Sequence, residues 1–302
     1  MKTIAITGLS GVVGERISAV KSTLLKNYSL VDLFHSKPLK SSKMTSFKLD
    51  LLQTKEIFPS LAALQPDIII HMAAATHIDN CESDISHGKD GRVWKLNVDA
   101  TQEIVNYCKE YKKKLLFLSS ECVFDGGKTG YRELDTRKPK SWYGVTKAEA
   151  ERIIEEALSS AAIIRGVVAY HDQRTRNKTI FGSFRKLLKN NKSLAAVTDQ
   201  FFTPTYIDDI WKTLQVILKD DASGVFHVAP SLITTPYQFA NDVAQANKYD
   251  HTLIGKTTLV QLFGKLKASL RLKNACLDSQ KTQRVLGMVY KNVQQVLAES
   301  RQ

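Results

Sequence analysis

A glycine-spaced turn directly behind the first strand constrains this chain more than any other feature. Lys2 to Thr7 alternate as a buried strand does, and Thr7-Gly8-Leu9-Ser10-Gly11-Val12-Val13-Gly14 follows at once. Strand, glycine turn and helix start in that order open a doubly wound, Rossmann-type parallel α/β sheet. Gly8 permits the tight turn, Gly11 lets the backbone approach a pyrophosphate, and Gly14 lets the helix pack on the strand. Free amides at the helix N-terminus then offer donors and partial positive charge to an anion. The expected cradle is Gly8, Ser10, Gly11, Val12, Val13 and Gly14.

The pattern continues as such a sheet requires. Strand-like runs at 3–7, 30–35, 47–49, 67–72, 115–119 and 162–168 alternate with helical spacing over 12–25, 54–64, 93–111 and 143–158. This predicts right-handed crossovers in a sheet covered on both faces. Ile68-Ile69-Ile70 reads as a central parallel strand. Past residue 170 the alternation stops. Residues 1–170 are expected to form the dinucleotide-binding domain, and 171–302 a smaller, partly interleaved C-terminal substrate-binding lobe.

Charge narrows the partners. Lys and Arg number 43 against 30 Asp and Glu, a net +13, which suits nucleic acid, an anionic membrane or a phosphorylated small molecule. The longest apolar run, 68–75, is broken by His71 and falls far short of the roughly 20 residues needed to span a bilayer. With no leader pattern, a cytoplasmic protein without membrane contact is expected. The basic stretch 171–192 holds Arg174, Arg176, Lys178, Arg185, Lys186, Lys189 and Lys192 against Asp172. Phe181, Phe184, Leu187 and Leu188 interrupt it at core spacing, and no aromatic-interleaved motif accompanies the charge. It is read as a solvated face or a funnel for a nucleotide diphosphate, not a nucleic-acid surface. Cys81, Cys108, Cys122 and Cys276 show no C-x-x-C pairing, which predicts free thiols. His71, His77, His87, Asp79 and Glu82 fit no ligand spacing, so no metal is expected.

The end of the second strand selects the dinucleotide. Phe34-His35-Ser36-Lys37 has no acid to take ribose hydroxyls, and Asp32 sits mid-strand. His35, Ser36 and Lys37, with Arg16, favour NADP over NAD. Lys37 as a mere solvated loop residue is the alternative. Asp50-Leu51 is placed for an adenine amino group or serves as a plain turn acid, and Ala73-Ala74 is small enough for a cofactor to cross the strand ends.

Tyr143-Gly144-Val145-Thr146-Lys147 opens a helix, and its spacing puts phenol and ammonium on one face. An ammonium beside a phenol lowers the phenol's pKa, fitting it to pass a proton to or from a carbinol oxygen. Ser119-Ser120 ends the fifth strand, where a hydroxyl can hold a carbonyl oxygen against that tyrosine.

Ser119-Ser120-Glu121-Cys122-Val123-Phe124-Asp125-Gly126 resembles the S-T-D-Y-V-F-D-G segment of the dTDP-4-dehydrorhamnose reductase family, extended short-chain dehydrogenases/reductases. His71-Met72-Ala73-Ala74-Ala75-Thr76-His77-Ile78-Asp79-Asn80-Cys81-Glu82 is similar to its N-x-A-A-x-T-x-V-D-x-x-E, and Asp199 to Thr205 to its D-Q-x-G-x-P-T. The likeness runs from residue 3 to about residue 286. It implies a Ser120/Tyr143/Lys147 triad in an NAD(P)H-dependent reductase of a nucleotide-activated 4-keto sugar. It adds Ala75, Asn97, Ser119, Tyr143 and Lys147 to the cofactor site, Lys147 at the nicotinamide ribose, and implies substrate contacts from Thr76, Glu121, Val123, Phe124 and Arg165. Asn97 would prop the active-site helix; a surface amide is the other reading. Glu121-Cys122 in place of Asp-Tyr alters the wall around the sugar, and the segment between Glu82 and Asn97 is enlarged. A homodimer is the expected assembly. Two other functions fit the same pattern: an NADP-binding regulatory subunit like the β subunit of methionine adenosyltransferase, and a nucleotide-sugar epimerase or dehydratase.

Overall fold

The computed structural model describes residues 1–18, 27–38, 44–171 and 179–299. Its central sheet runs in the order β3-β2-β1-β4-β5-β6-β9. These strands are β1 (Lys2–Thr7), β2 (Tyr28–Phe34), β3 (Thr45–Lys48), β4 (Ile68–His71), β5 (Lys114–Ser120), β6 (Ala162–Gly166) and β9 (Gly224–Val228). Strands β3 to β5 pair in parallel, with Ile4 opposite Ile68 and Ile69 opposite Leu115. The order reverses between β1 and β4, so a crevice opens at their carboxyl ends, where this fold class binds ligands.

By its internal contacts the chain divides into two units. One comprises Met1–Val123, Ser141–Ile164 and Leu214–Val225; the other Phe124–Lys140, Arg165–Thr213 and Phe226–Gln302. The chain passes between the units at several points, one of them at 164–165.

In the first unit, helices α1 (Thr54–Leu64), α3 (Ala100–Glu110) and α4 (Trp142–Ala157) follow the predicted spacing, and the short α2 (Ile78–Glu82) was not marked by it. Ile57, Leu61, Ile104, Val105, Ala150 and Ile154 from these helices share one core with Ile69, Leu115 and Phe117 of the strands. Each fully buried aliphatic side chain there contributes about 1.5–3 kcal/mol. The predicted 93–111 helix is present as a helical run from Arg92 to Glu110 with a π-segment inside it. A one-turn segment, Arg92–Trp94, leads into a wide π-turn at Lys95–Asp99 before α3 begins. Within this segment Asn97 hydrogen-bonds sideways to elements distant in sequence, which periodicity alone does not reveal. The expected 12–25 helix begins as a 3₁₀ turn, Gly14–Ser18; its remainder lies outside the described residues.

The second unit pairs β7 (Leu194–Val197) with β10 (Ile254–Thr257), and β8 (Phe201–Phe202) with β11 (Asn274–Ala275). Tyr170, Phe181, Phe184 and Phe202 gather around Phe239. Arg185, Lys186 and Lys189 lie on the helix Ile180–Lys189, whose Phe181, Phe184 and Leu188 are buried as the spacing predicts. Asp172, Arg174, Arg176 and Lys178 lie outside the described residues. Among the described residues no helix is long and apolar enough to cross a membrane. All four cysteines are free and buried.

Candidate active site

The glycine turn is built by close backbone approach. Gly8 has φ +79°, and a Cβ there would lie 2.6 Å from the Ala73 amide nitrogen. A Cβ on Gly14 would fall 2.3 Å from Leu9 Cα and 2.6 Å from the Gly8 carbonyl oxygen. Gly11 N–H donates to Gly8 O at 2.9 Å, closing the turn. The turn forms one wall of a cavity of about 390 Å³. Gly8, Ser10, Gly11, Val12, Val13, Gly14, His35, Lys37, Asp50, Leu51, Ala73, Ala74 and Thr76 all line it. Ser36, Ala75, Asn97, Ser119, Tyr143 and Lys147 do not. His35 lies 3.6 Å from the Asp50 carboxylate, so the imidazole and this acid share one rim. Arg92 also lines the cavity and was missed by motif reasoning; its signal was a base directly after Gly91 in the enlarged segment.

Behind the turn runs a polar chain. Thr7 Oγ1 accepts from the Met72 and Ala73 amides, both at 3.1 Å, so its hydrogen goes to His71 Nδ1 at 2.7 Å. His71 Nε2 therefore carries the hydrogen and donates to Thr101 Oγ1 at 3.2 Å, and Thr101 donates to Asn97 O at 2.8 Å. Asn97 Oδ1 accepts from the Ala75 amide at 2.8 Å, while its Nδ2 donates to Ala75 O at 3.0 Å and Thr146 Oγ1 at 2.9 Å. Asn97 is thus a buried strut to α4, not a surface amide.

Burial drops the His71 pKa from 6.5 to about 3, with Lys147 adding to the shift. The unfolded chain then binds more protons between these values, so this site's contribution is complete above pH 6.5 and is lost as pH falls toward 3. Between pH 7 and pH 5 the protein should lose about 2 kcal/mol through this residue. Urea unfolding at the two pH values checks it, and His71→Asn should flatten the dependence. An unchanged slope in that variant would count against the assignment.

Helix α4 starts cleanly. Ser141 Oγ accepts from the Gly144 amide at 3.2 Å, and Glu82 accepts from the Trp142 amide at 2.9 Å. This fixes Tyr143 and Lys147, which are 8% and 2% exposed. Lys147 Nζ donates to Leu118 O at 2.7 Å and sits 3.8 Å from the Phe117 ring centroid. Burial lowers its pKa to about 7, opposed by Glu151. The phenol departs from the expected lowering. Burial holds the Tyr143 pKa well above its ordinary value, Cys122 and Glu121 raise it further, and Ser120 opposes them as a hydrogen-bond partner. Burial takes hydration from the phenolate, so Tyr143 keeps its proton at neutral pH.

Ser120 Oγ donates to Glu121 Oε2 at 2.6 Å and accepts from the Cys122 amide at 3.2 Å. Ser119 Oγ is buried with no hydrogen-bond partner. Tyr143 packs with Cys81, Val93 and Cys122. Of the implied substrate contacts, Thr76 faces the cavity and Glu121 faces Ser120, but Val123, Phe124 and Arg165 are 0%, 0% and 1% exposed. Arg165 is engaged inside the second unit. Its Nη1 donates to Glu133 O at 3.0 Å and lies 3.2 Å from His227 Nε2, so the guanidinium serves the interior of the second unit. Phe124 is likewise spent internally, stacked on Tyr131 with centroids 4.3 Å apart. Among the described residues no group of three or more His, Cys, Asp or Glu is gathered as metal ligands.

A glycine-turn cavity at the switch point of a parallel sheet, with Ser, Tyr and Lys at the adjoining strand and helix, defines the extended short-chain dehydrogenase/reductase class of dinucleotide-binding α/β proteins. The whole chain, residues 1–302, matches the RmlD substrate binding domain and belongs to that family. It is 26% identical over 315 aligned residues to a dTDP-4-dehydrorhamnose reductase of Aggregatibacter actinomycetemcomitans, covering 100% of this chain and 99% of the relative. It is also 26% identical over 251 residues to methionine adenosyltransferase 2 subunit beta of Bos taurus, covering 81% of this chain and 72% of that one. In fold it resembles the dTDP-4-dehydrorhamnose reductase of Bacillus anthracis str. Ames in complex with NADP, with TM-score 0.83 at 20% identity over 99% of this chain and 98% of that one.

Proposed function

We propose that this chain is an NADPH-dependent reductase of a nucleotide-activated 4-keto sugar, with Ser120, Tyr143 and Lys147 as its catalytic groups. The observation that carries the reading is a shared strand end. Leu118 lines the glycine-turn cavity and accepts the Lys147 ammonium, and Ser120 follows two residues later beside Tyr143.

The cavity suits a dinucleotide. Gly8 and Gly14 leave no room for a Cβ, so backbone amides form its wall, and Lys37, His35 and Arg92 supply positive or protonatable groups at its rim. Ser10, Gly11, Val12 and Val13 would hold the pyrophosphate, Asp50 and Leu51 the adenine end, and Ala73 to Ala75 the crossing over the strand ends. Lys37, Ser36 and His35 would take the 2′-phosphate. Bound NADPH supplies the hydride that a ketone carbon accepts. Tyr143 donates its phenolic proton to the ketone oxygen: its raised pKa keeps the phenol protonated, and the developing alkoxide is still the stronger base. Ser120 orients that oxygen, and Lys147, bridging to the Leu118 carbonyl, holds α4 against β5 and stands ready for a ribose hydroxyl. The implied nucleotide-sugar substrate, a homodimer and a cytoplasmic setting belong to the same reading.

A coupled NADPH-oxidation screen over dTDP-, GDP- and UDP-linked 4-keto sugars tests it, with net NADPH consumption on at least one of them as the expected result. Tight NADPH binding without oxidation of any would favour the regulatory-subunit role, and turnover without net consumption an epimerase or dehydratase. In the same screen Lys37→Ala should weaken NADPH binding and leave NADH nearly unchanged; equal losses would remove the phosphate contact.

A further inference from the structure

We propose that Glu121 sets the direction in which the Ser120 hydroxyl donates, so that a protonated Glu121 carboxyl frees this hydrogen for a substrate oxygen and an ionised one withholds it. This rests on the reductase reading and assigns Glu121 as a positioning residue within it.

The argument is a count of donors and lone pairs. A serine hydroxyl has one hydrogen and two acceptor positions. One acceptor position of Ser120 is filled by the Cys122 amide at 3.2 Å. Its single hydrogen points at Glu121 Oε2, 2.6 Å away and buried. While Glu121 is ionised, Ser120 has only a lone pair to offer. It can accept from Tyr143 but cannot donate to a ketone oxygen, and accepting from Tyr143 draws the phenolic hydrogen away from the substrate as well. Protonating Glu121 reverses the bond. The carboxyl O–H then donates to Ser120 Oγ, both lone pairs of Ser120 are filled, and its hydrogen is free to turn outward. Nothing is consumed by the change; one proton enters from solvent and the hydrogen bond changes direction.

The surroundings make the protonated form accessible. Burial raises the Glu121 pKa, and the groups that oppose this are hydrogen-bond donors: Ser120, a backbone amide and Cys122. Facing Glu121 are Cys122 on its own turn and Tyr143 from α4, with Cys81 of α2 behind them; each is held in its neutral form by burial. Motif comparison marks this position as an acid but does not show which hydrogen it controls.

Two measurements test the assignment. With dTDP-4-dehydrorhamnose as substrate, kcat/KM of the wild type should fall on the alkaline side in two steps, one for the Glu121 carboxyl and one for the Lys147 ammonium; Glu121→Gln, whose amide can donate to Ser120 Oγ at every pH, should keep only the Lys147 step and exceed the wild type at least tenfold where the Glu121 step is complete. Independently of substrate, the protonated-carboxyl infrared band that Glu121→Gln abolishes should persist above the ordinary carboxylate range and shift to still higher pH in Ser120→Ala, which removes a donor to the carboxylate. A Glu121→Gln profile with the same alkaline steps as the wild type, or a band indifferent to Ser120→Ala, overturns the proposal. A protein that turns over no keto sugar, yet shows the Ser120-dependent band, would remove the reductase reading and leave the hydroxyl direction established.

Discussion

Tyr143→Phe should lower kcat by roughly 100- to 10,000-fold, the range general acids contribute, with little change in NADPH affinity or folding. The ring stays, so its packing with Cys81, Val93 and Cys122 is preserved. Only the phenolic hydrogen is lost. Because burial, Cys122 and Glu121 hold the phenol protonated, no other residue need load it before the forward reaction begins. The measurement is steady-state NADPH oxidation together with a fluorescence titration of the cofactor. Undiminished kcat would assign the proton to another donor, and Ser120 would be the first to consider.

Gly14→Ala is expected to cost about 1–3 kcal/mol of stability and to weaken NADPH binding by about two orders of magnitude. All three atoms nearest the new methyl group belong to the backbone of Gly8 and Leu9, the nearest at 2.3 Å, so no side-chain rotation relieves the overlap. The glycine turn must move, and it is the wall against which a pyrophosphate would rest. Gly11→Ala is the internal comparison. Its Cβ meets only the Gly8 carbonyl oxygen, at 3.1 Å, and it should be milder in thermal melts and in titration alike. If Gly14→Ala bound NADPH as the parent does, the turn would not be the phosphate cradle.

Much of the sheet was legible in the sequence because it depends on local rules. The Ile68-Ile69-Ile70 run became the central strand β4, and the spacing of 54–64 gave α1 with the same bounds. The glycine turn was legible for the same reason: close backbone approach tolerates one residue type. What could not be read depended on partners distant in sequence. Asn97 is a strut because Ala75 and Thr146, 22 and 49 residues away, meet it. The phenol's raised pKa needs its burial, and burial beside Cys122 is not a spacing. Arg165 followed the family pattern, yet Glu133 and His227 claim its guanidinium. Arg92 stood in no motif and entered the cavity through the enlarged segment alone.

The wide turn at Lys95–Asp99 has a consequence for engineering. It uses one residue more per revolution than the α-helix it feeds, so side chains on either side of it are out of phase by about a quarter revolution. Excising a single amino acid there would straighten the rod, swing the Asn97 carboxamide off its hydrogen-bonding partners and take one tie from the helix that carries Tyr143 and Lys147. Grafting a substitute for the enlarged 82–97 segment from a relative therefore succeeds only if the graft keeps this count, whatever its sequence.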